Sequence, residues 1–298
     1  MDQLDFITMS GDLDRFDILK LNSQNIHDFY PDSTYWIYNT GLTEDEVKCL
    51  SKFDNTEVVD WSHKADHDKN THFIEQNLAK IQQYFLDNKY TNHLIELFDI
   101  TLKSAIKRWD FFCSQKPRVI KDFYQNFNGN FVWLDDDAII INKIDTGIFD
   151  NFDVGVTIRS KYNEKCWGIS PVNAGVIFFS GRGDSLETFV NSWIQRMIEI
   201  NPIEDPLREQ TSLSELCIPT YVDSNEIKYN QTVILRLSNT NITVSYLPAR
   251  LYNHSFFGHG INPKLHKILH FKGGAYKSKF NKRLINEALH DNLRYYHR

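Results

Sequence analysis

Residues 130–141 read Asn130-Phe131-Val132-Trp133-Leu134-Asp135-Asp136-Asp137-Ala138-Ile139-Ile140-Ile141, and this stretch decides the fold. Three adjacent carboxylates interrupt two apolar, β-forming runs. Burying even one unpaired carboxylate is costly, so such a cluster needs a cation or a water-filled cleft. Alternation along an extended chain would send Asp135 and Asp137 to one side and Asp136 to the other. Two same-side carboxylates at a strand end form a hard oxygen site suited to Mn²⁺ or Mg²⁺. An acidic surface turn is the competing reading, but the flanks are too apolar and too long for a hairpin tip.

Working outward toward the N-terminus, the chain alternates strand and helix patterns. Leu4 to Ser10 reads as a strand, Arg15 to Ser23 as a helix and Ser33 to Tyr38 as a second strand. Thr43 with Glu46 three residues later matches a capping box, and Glu57 to Trp61 reads as a third strand. This rhythm predicts an α/β chain with a mostly parallel central sheet flanked by helices. Ligands of such sheets bind beyond the carboxyl ends of the strands. Thr8, Met9, Ser10, Asn39 and Thr40 are therefore candidates for lining a nucleotide pocket. His63, His67 and His72 lie in a polar stretch with nothing to fix metal geometry, which reads as a solvated loop. Helical periodicity covers Phe73 to Phe85 and His93 to Cys113. Gln115-Lys116-Pro117 predicts a break, with a new helix over 118–127 delivering the chain to the acidic strand.

Toward the C-terminus, 142–150 reads as a connector and Val154 to Arg159 as a strand. Val172 to Ser180 is a strongly apolar strand carrying Asn173 and Gly175 early, and a strand glycine often marks close approach of a ligand or another backbone. Asp184 and Ser185 are expected to cap a helix buried through Leu186, Phe189, Val190, Trp193, Ile194 and Met197. Asp205 and Pro206 are expected to open another, Leu207 to Leu216, carrying Glu209 and Gln210. Ile227 to Leu237 and Ile242 to Tyr246 read as a hairpin, and Leu247 to Gly260 as a loop. Ile268-Leu269-His270-Phe271-Lys272-Gly273-Gly274 is a short strand ending in chemistry suited to a metal and a phosphate. The imidazole of His270 supplies a third ligand beside Asp135 and Asp137, Gly273 admits a diphosphate to the backbone, and Lys272 neutralises it. Ser278 to Arg298 reads as a basic amphipathic helix, which suits packing on the sheet or peripheral contact with an anionic membrane.

Val-Trp-Leu-Asp-Asp-Asp before an apolar strand resembles the Asp-x-Asp segment of GT-A-fold glycosyltransferases. Asn173-Ala174-Gly175-Val176 and the C-terminal His270-Phe271 sharpen the likeness to the retaining branch that includes glycogenin and bacterial lipooligosaccharide galactosyltransferases. Lys116-Pro117 is also common at this point in that family. The resemblance implies a GT-A-like (Rossmann-like) fold with a smaller C-terminal β-containing part. It further implies that Asp135, Asp137 and His270 hold a divalent ion, which in turn holds the diphosphate of a nucleotide-sugar. Asp136, with Thr8, Ser10, Asn39, Lys272 and Gly273, is expected on the nucleotide and diphosphate. Asn173 and Gln210 are expected to face the sugar. The family shows Asp-Gln where this chain has Glu209-Gln210, so the role of Glu209 stays open. The family's later Lys-Pro-Trp is incomplete here, so either Lys272 or Lys277 serves the phosphate.

Composition sets the outer bounds. The 298 residues, 24% charged and 41% hydrophobic, are those of an ordinary globular chain able to bury a sizeable core. A net charge of −6 argues against nucleic acid as a partner. The start of the sequence does not read as a signal peptide, and no stretch is long and apolar enough for a membrane span. The scattered Cys49, Cys113, Cys166 and Cys217 lack Cys-x-x-Cys spacing, which suits reduced thiols in a cytoplasmic protein.

The expected organisation is one catalytic domain over 1–298, with a nucleotide-binding half (1–141), an acceptor-binding half (142–274) and a C-terminal helix (275–298). The expected activity is metal-dependent transfer of a sugar from a nucleotide-diphosphate-sugar, a UDP-sugar first, to a carbohydrate or glycoconjugate hydroxyl. A nucleotidyltransferase of similar architecture and a non-catalytic nucleotide-sugar binding protein are the alternatives. The former usually carries a Gly-rich basic loop after its first strand, and Ser10-Gly11-Asp12-Leu13-Asp14 is not one.

Overall fold

The structure is a computed structural model; it describes residues 3–10, 15–62, 102–159, 170–181, 183–200, 208–219, 227–255, 262, 264–271, 283 and 286, with side chains from 114 onward in the helix that begins at 102. The expectations for His63, His67 and His72, the 73–85 helix, the Asp205–Pro206 helix start, Lys272, Gly273, Lys277 and nearly all of the 278–298 helix lie outside the described residues.

An eight-stranded sheet runs in the order β3-β2-β1-β4-β7-β6-β9-β8. Its strands are β1 (Leu4–Ser10), β2 (Tyr35–Asn39), β3 (Thr56–Asp60), β4 (Asn130–Leu134), β6 (Val154–Ile158), β7 (Val172–Phe179), β8 (Thr232–Leu237) and β9 (Thr240–Pro248). Four of the seven pairings are parallel: β1 with β2 and β4, β2 with β3, and β6 with β9. The other three are antiparallel. Helices cover both faces, so the central strands are buried on both sides, and β4 and β7 carry mostly apolar sequence. Alternation in β4 sends Val132 and Leu134 into one core and Phe131 and Trp133 into the other. The expected strands are present within a residue or two, except that β8 begins only at Thr232. The Thr43–Glu46 capping box is complete.

Four local readings need correction. The first helix runs Phe16–Phe29, past the expected end at Ser23. Its buried asparagines face β5 (Ala138–Ile140), whose backbone they satisfy. Asn22 donates to Ala138 O at 2.7 Å and accepts from Ile140 N at 3.1 Å, and Asn25 donates to Ile140 O at 2.7 Å. Polar residues that look like a helix end thus stand in for a neighbouring strand. Second, Pro117 does not break the chain: one helix spans Leu102–Asn126. An interior proline costs about 3 kcal/mol. Full or near-full burial of Val119, Ile120 and Phe123 just beyond it offsets that at about 1.5–3 kcal/mol each. Third, Asp184 precedes the Ser185–Glu199 helix but makes no side-chain cap bond. Fourth, the expected loop after Leu247 contains a helical turn, Ala249–Tyr252, and the short strand β10 (His254–Ser255).

A second, three-stranded sheet has the order β10-β11-β5, with β11 spanning Ile268–His270. β5 and β11 are antiparallel, and the register sets His270 opposite Ala138. The C-terminal β structure therefore divides, β8 and β9 completing the large sheet and β10 and β11 joining β5. Among the described residues, no helix is long and apolar enough to cross a membrane.

The small sheet carries a pH-sensitive contact. The rings of His254 and His266 stack 3.8 Å apart, and His266 Nδ1 accepts from Asn262 N at 3.2 Å. Burial, with His254 and Arg250 adding repulsion, pushes His266 down from 6.5 to about 4. Between those values the unfolded chain binds a proton that the folded chain refuses. Stability is therefore expected to fall as pH drops from 6.5 toward 4. Denaturant titrations across that range should show the loss, and His266→Gln should flatten it.

Candidate active site

The acidic segment is a turn between two sheets. Asp135 N donates to Gly175 O at 2.8 Å, ending β4 beside β7, and Ala138 N donates back to Asp135 O at 2.8 Å as the chain reverses into β5. A turn rather than an extended strand places the carboxylates: Asp135 and Asp137 lie together at His270, and Arg15 lies against both Asp136 and Asp137. Asp137 O accepts from Phe271 N at 2.8 Å, which pins the turn to the end of β11.

Asp135, Asp137 and His270 converge there, with one ligand atom from each lying within 4.8 Å of the others. His270 Nε2 is 2.8 Å from Asp137 Oδ1 and 3.8 Å from Asp135 Oδ2. Two carboxylates and an imidazole are a donor set that fits Mn²⁺ or Mg²⁺. Gly175 makes the approach of His270 possible. A Cβ on Gly175 would lie 2.2 Å from His270 Cε1 and 2.5 Å from Nδ1.

Asp136 points the other way, accepting from Ser10 Oγ at 3.2 Å and lying 3.7 Å from Arg15 Nε. Arg15 Nη2 is also 3.5 Å from Asp137 Oδ2. On the far side of Asp135 sits Lys116, only 6% exposed. Its ammonium lies 2.8 Å from Asp135 Oδ1 and 3.1 Å from Glu209 Oε1 as ion pairs, and donates to Ala174 O at 3.0 Å. Trp133 Nε1 donates to the same Asp135 oxygen at 2.8 Å. Burial pushes Glu209 up from 4.5 to about 7; Lys116 pulls it down and Asp135 adds repulsion.

The sugar-facing candidates are placed on the same rim. Gln210 Oε1 accepts from Arg159 Nη2 at 3.1 Å and from Ala174 N at 3.4 Å. Asn173 is buried, its Oδ1 accepting from Gly175 N at 3.4 Å and its backbone carbonyl from Thr157 Oγ1 at 2.7 Å. Of the pocket candidates at the strand ends, Thr8 is sealed inside the fold, and Ser10 is buried against Asp136. Asn39 is half-buried and turns its Oδ1 back to Gly41 N and Leu42 N at 2.9 and 2.7 Å.

Sequence reasoning missed Arg15, Lys116 and Asn253 as parts of this constellation. Lys116 carried a signal, because it lies three, four and seven residues before Val119, Ile120 and Phe123, on the buried stripe of its helix. Asn253 shows in the sequence only as part of an Asn-x-Ser pattern. Arg15 carries no comparable mark.

No protein-family model and no curated protein matches this chain. Among solved structures, a glycosyltransferase involved in glycosylating the major capsid of PBCV-1 is similar at 12% identity and TM-score 0.47, over 95% of this chain and 98% of that one. An active-site mutant of LgtC is similar at 13% identity and TM-score 0.47, over 96% and 95%. The galactosyltransferase LgtC in complex with donor and acceptor sugar analogs is similar at 13% identity and TM-score 0.43, over 95% of each chain.

Proposed function

We propose that this chain is a metal-dependent glycosyltransferase that moves a sugar from a nucleotide-diphosphate-sugar, a UDP-sugar first, to a hydroxyl of a glycan, lipid-linked or protein acceptor. The observation that carries the reading is the convergence of Asp135, Asp137 and His270 from two strands far apart in sequence, beside the carboxyl end of β1. Asp135, Asp137 and His270 would hold Mn²⁺ or Mg²⁺, which when bound supplies positive charge to a diphosphate leaving group. The rest of the chemistry belongs to the chain. Lys116 balances Asp135 and Glu209, so that Asp135 keeps its orientation. Ser10 and Arg15 hold Asp136 toward the nucleotide side. Lys272 and Gly273 are assigned to the diphosphate, and Asn173 and Gln210 to the sugar. Residues 1–141 would serve as the nucleotide half, 142–274 as the acceptor half and 275–298 as a C-terminal helix.

Retention of anomeric configuration is part of the proposal. An inverting enzyme needs a free carboxylate to take the acceptor's proton. Of the two carboxylates the sequence offers for that role, Glu209 is 4% exposed and tied to Lys116, and Asp205 lies outside the described residues. The Asn173-Ala174-Gly175-Val176 segment and His270, which resemble the retaining branch, support retention. The test is release of nucleoside diphosphate from UDP-, GDP- and dTDP-sugars, and of nucleoside monophosphate from CMP-sugars, with Mn²⁺, Mg²⁺ or EDTA. Slow, metal-dependent hydrolysis of one donor is expected, lowered at least about 100-fold by Asp137→Ala, as for loss of a main electrostatic group. Turnover that survives both EDTA and Asp137→Ala would overturn the reading.

A further inference from the structure

Asn253 follows the helical turn after β9 and is 1% exposed. Its amide makes three contacts of defined direction. Nδ2 donates to Thr157 Oγ1 at 2.8 Å and to the carbonyl of Asn173 at 3.1 Å. The Asn173 carbonyl can only accept, so it settles which end of the amide is which, and Oδ1 faces His270 Nδ1 at 2.8 Å. The ring nitrogen facing a carbonyl oxygen must carry a proton. Nε2 is then the nitrogen left for Asp135 and Asp137.

The socket around this contact is built from three strands. The β6–β7 register shifts between Val156 and Thr157, and the Thr157 hydroxyl there donates to Asn173 O at 2.7 Å. Gly175, two residues along β7, leaves the space that the imidazole fills. Asn253 ties Thr157, the Asn173 carbonyl and His270 into one network. We propose that Asn253 is a positioning residue for the metal site: it fixes the orientation of the His270 ring and the nitrogen that bears the proton, so that Nε2 is presented as a ligand. Such outer partners of ligating histidines commonly change metal affinity by about 10–100-fold when removed. The inference rests on the metal reading given above.

The test is Mn²⁺ binding to the full chain, followed by the EPR signal of the free ion. Asn253→Leu keeps the volume and removes the acceptor; it is expected to weaken Mn²⁺ binding about 10–100-fold. Asn253→Asp keeps an acceptor on Nδ1 but sets its second oxygen against the Asn173 carbonyl, so it is expected to lose stability. Its Mn²⁺ affinity is expected to stay within about 3-fold of the wild type, since carboxylate–histidine–metal arrangements serve the same end. In a His270→Ala background, Asn253→Leu is expected to change Mn²⁺ affinity by less than about 2-fold, because the two residues then no longer share an interaction. Circular dichroism of each variant identifies any that fail to fold, and Asn253→Ala, which also lacks the acceptor, takes the place of the Leu variant if that one does. Equal loss in the Asp and Leu variants, or the same loss without His270, would show a merely structural role and overturn the inference. Wild-type binding with unaffected Asn253 variants removes this inference alone, whereas no Mn²⁺ binding by the wild type removes the metal reading with it.

Discussion

Lys116→Met is expected to destabilise the protein by about 3–5 kcal/mol, the usual result of removing one partner from a buried ionic cluster. The lysine is the common countercharge of Glu209 and Asp135, and both it and Glu209 are almost wholly out of solvent. Methionine fills similar volume, so the loss isolates the charge. The penalty should depend on pH. Burial already holds Glu209 at about 7 against 4.5 in the unfolded chain. Within that window the folded state keeps a proton the unfolded state has shed, so this group's contribution falls as pH rises. Without Lys116, which lowers the folded value, the window extends upward. Urea denaturation at pH 6 and pH 8 should therefore show a larger deficit at pH 8. Lys116→Met combined with Glu209→Gln should recover part of it. A variant as stable as the wild type at both pH values would contradict the arrangement.

Gly175→Ala should damage the candidate metal site directly. The added carbon would stand 2.2 Å from His270 Cε1. The ring has no retreat, with Asp137 Oδ1 2.8 Å from Nε2 on one side and Asn253 Oδ1 2.8 Å from Nδ1 on the other. Overpacking of this kind costs about 1–3 kcal/mol. Displacing the imidazole should weaken Mn²⁺ binding by at least about 100-fold, the upper end of what loss of an outer partner does. The double variant Gly175→Ala/His270→Ala separates the two effects. It is expected to regain stability, because the clash is gone, and to gain no Mn²⁺ affinity. Thermal melts and Mn²⁺ titration check both parts. An alanine variant that binds Mn²⁺ as tightly as the wild type would show that His270 does not need its observed position.

What the sequence revealed follows from the physics of its parts. β4 and β7 were readable because strands buried on both faces carry long apolar runs. The acidic cluster was readable as a charged site because three carboxylates between such runs demand a cation. The turn that carries it was not, since the alternation of an extended strand was expected there. Pairing of β5 with β11 was not, because His270 lies more than a hundred residues from Ala138 and no local pattern encodes that register. Asn22 and Asn25 misled in the same way: they look like residues that end a helix, yet they satisfy a strand edge brought alongside by the fold. Lys116 and Pro117 read as a break on local propensity, which carries nothing of the burial of Val119 and Ile120 beyond them. The resemblance to GT-A glycosyltransferases supplied the expectation that His270 belongs with Asp135 and Asp137. The convergence of these groups is now a geometric fact of the structure, and the reaction they serve is the proposal.

The most direct test of the central claim is diffraction from crystals grown with Mn²⁺ and UDP, recorded for anomalous signal at the manganese edge. The account predicts one strong peak between the carboxylates of Asp135 and Asp137 and Nε2 of His270, with the diphosphate of UDP against it. A manganese peak elsewhere, or UDP bound away from these residues, would contradict it.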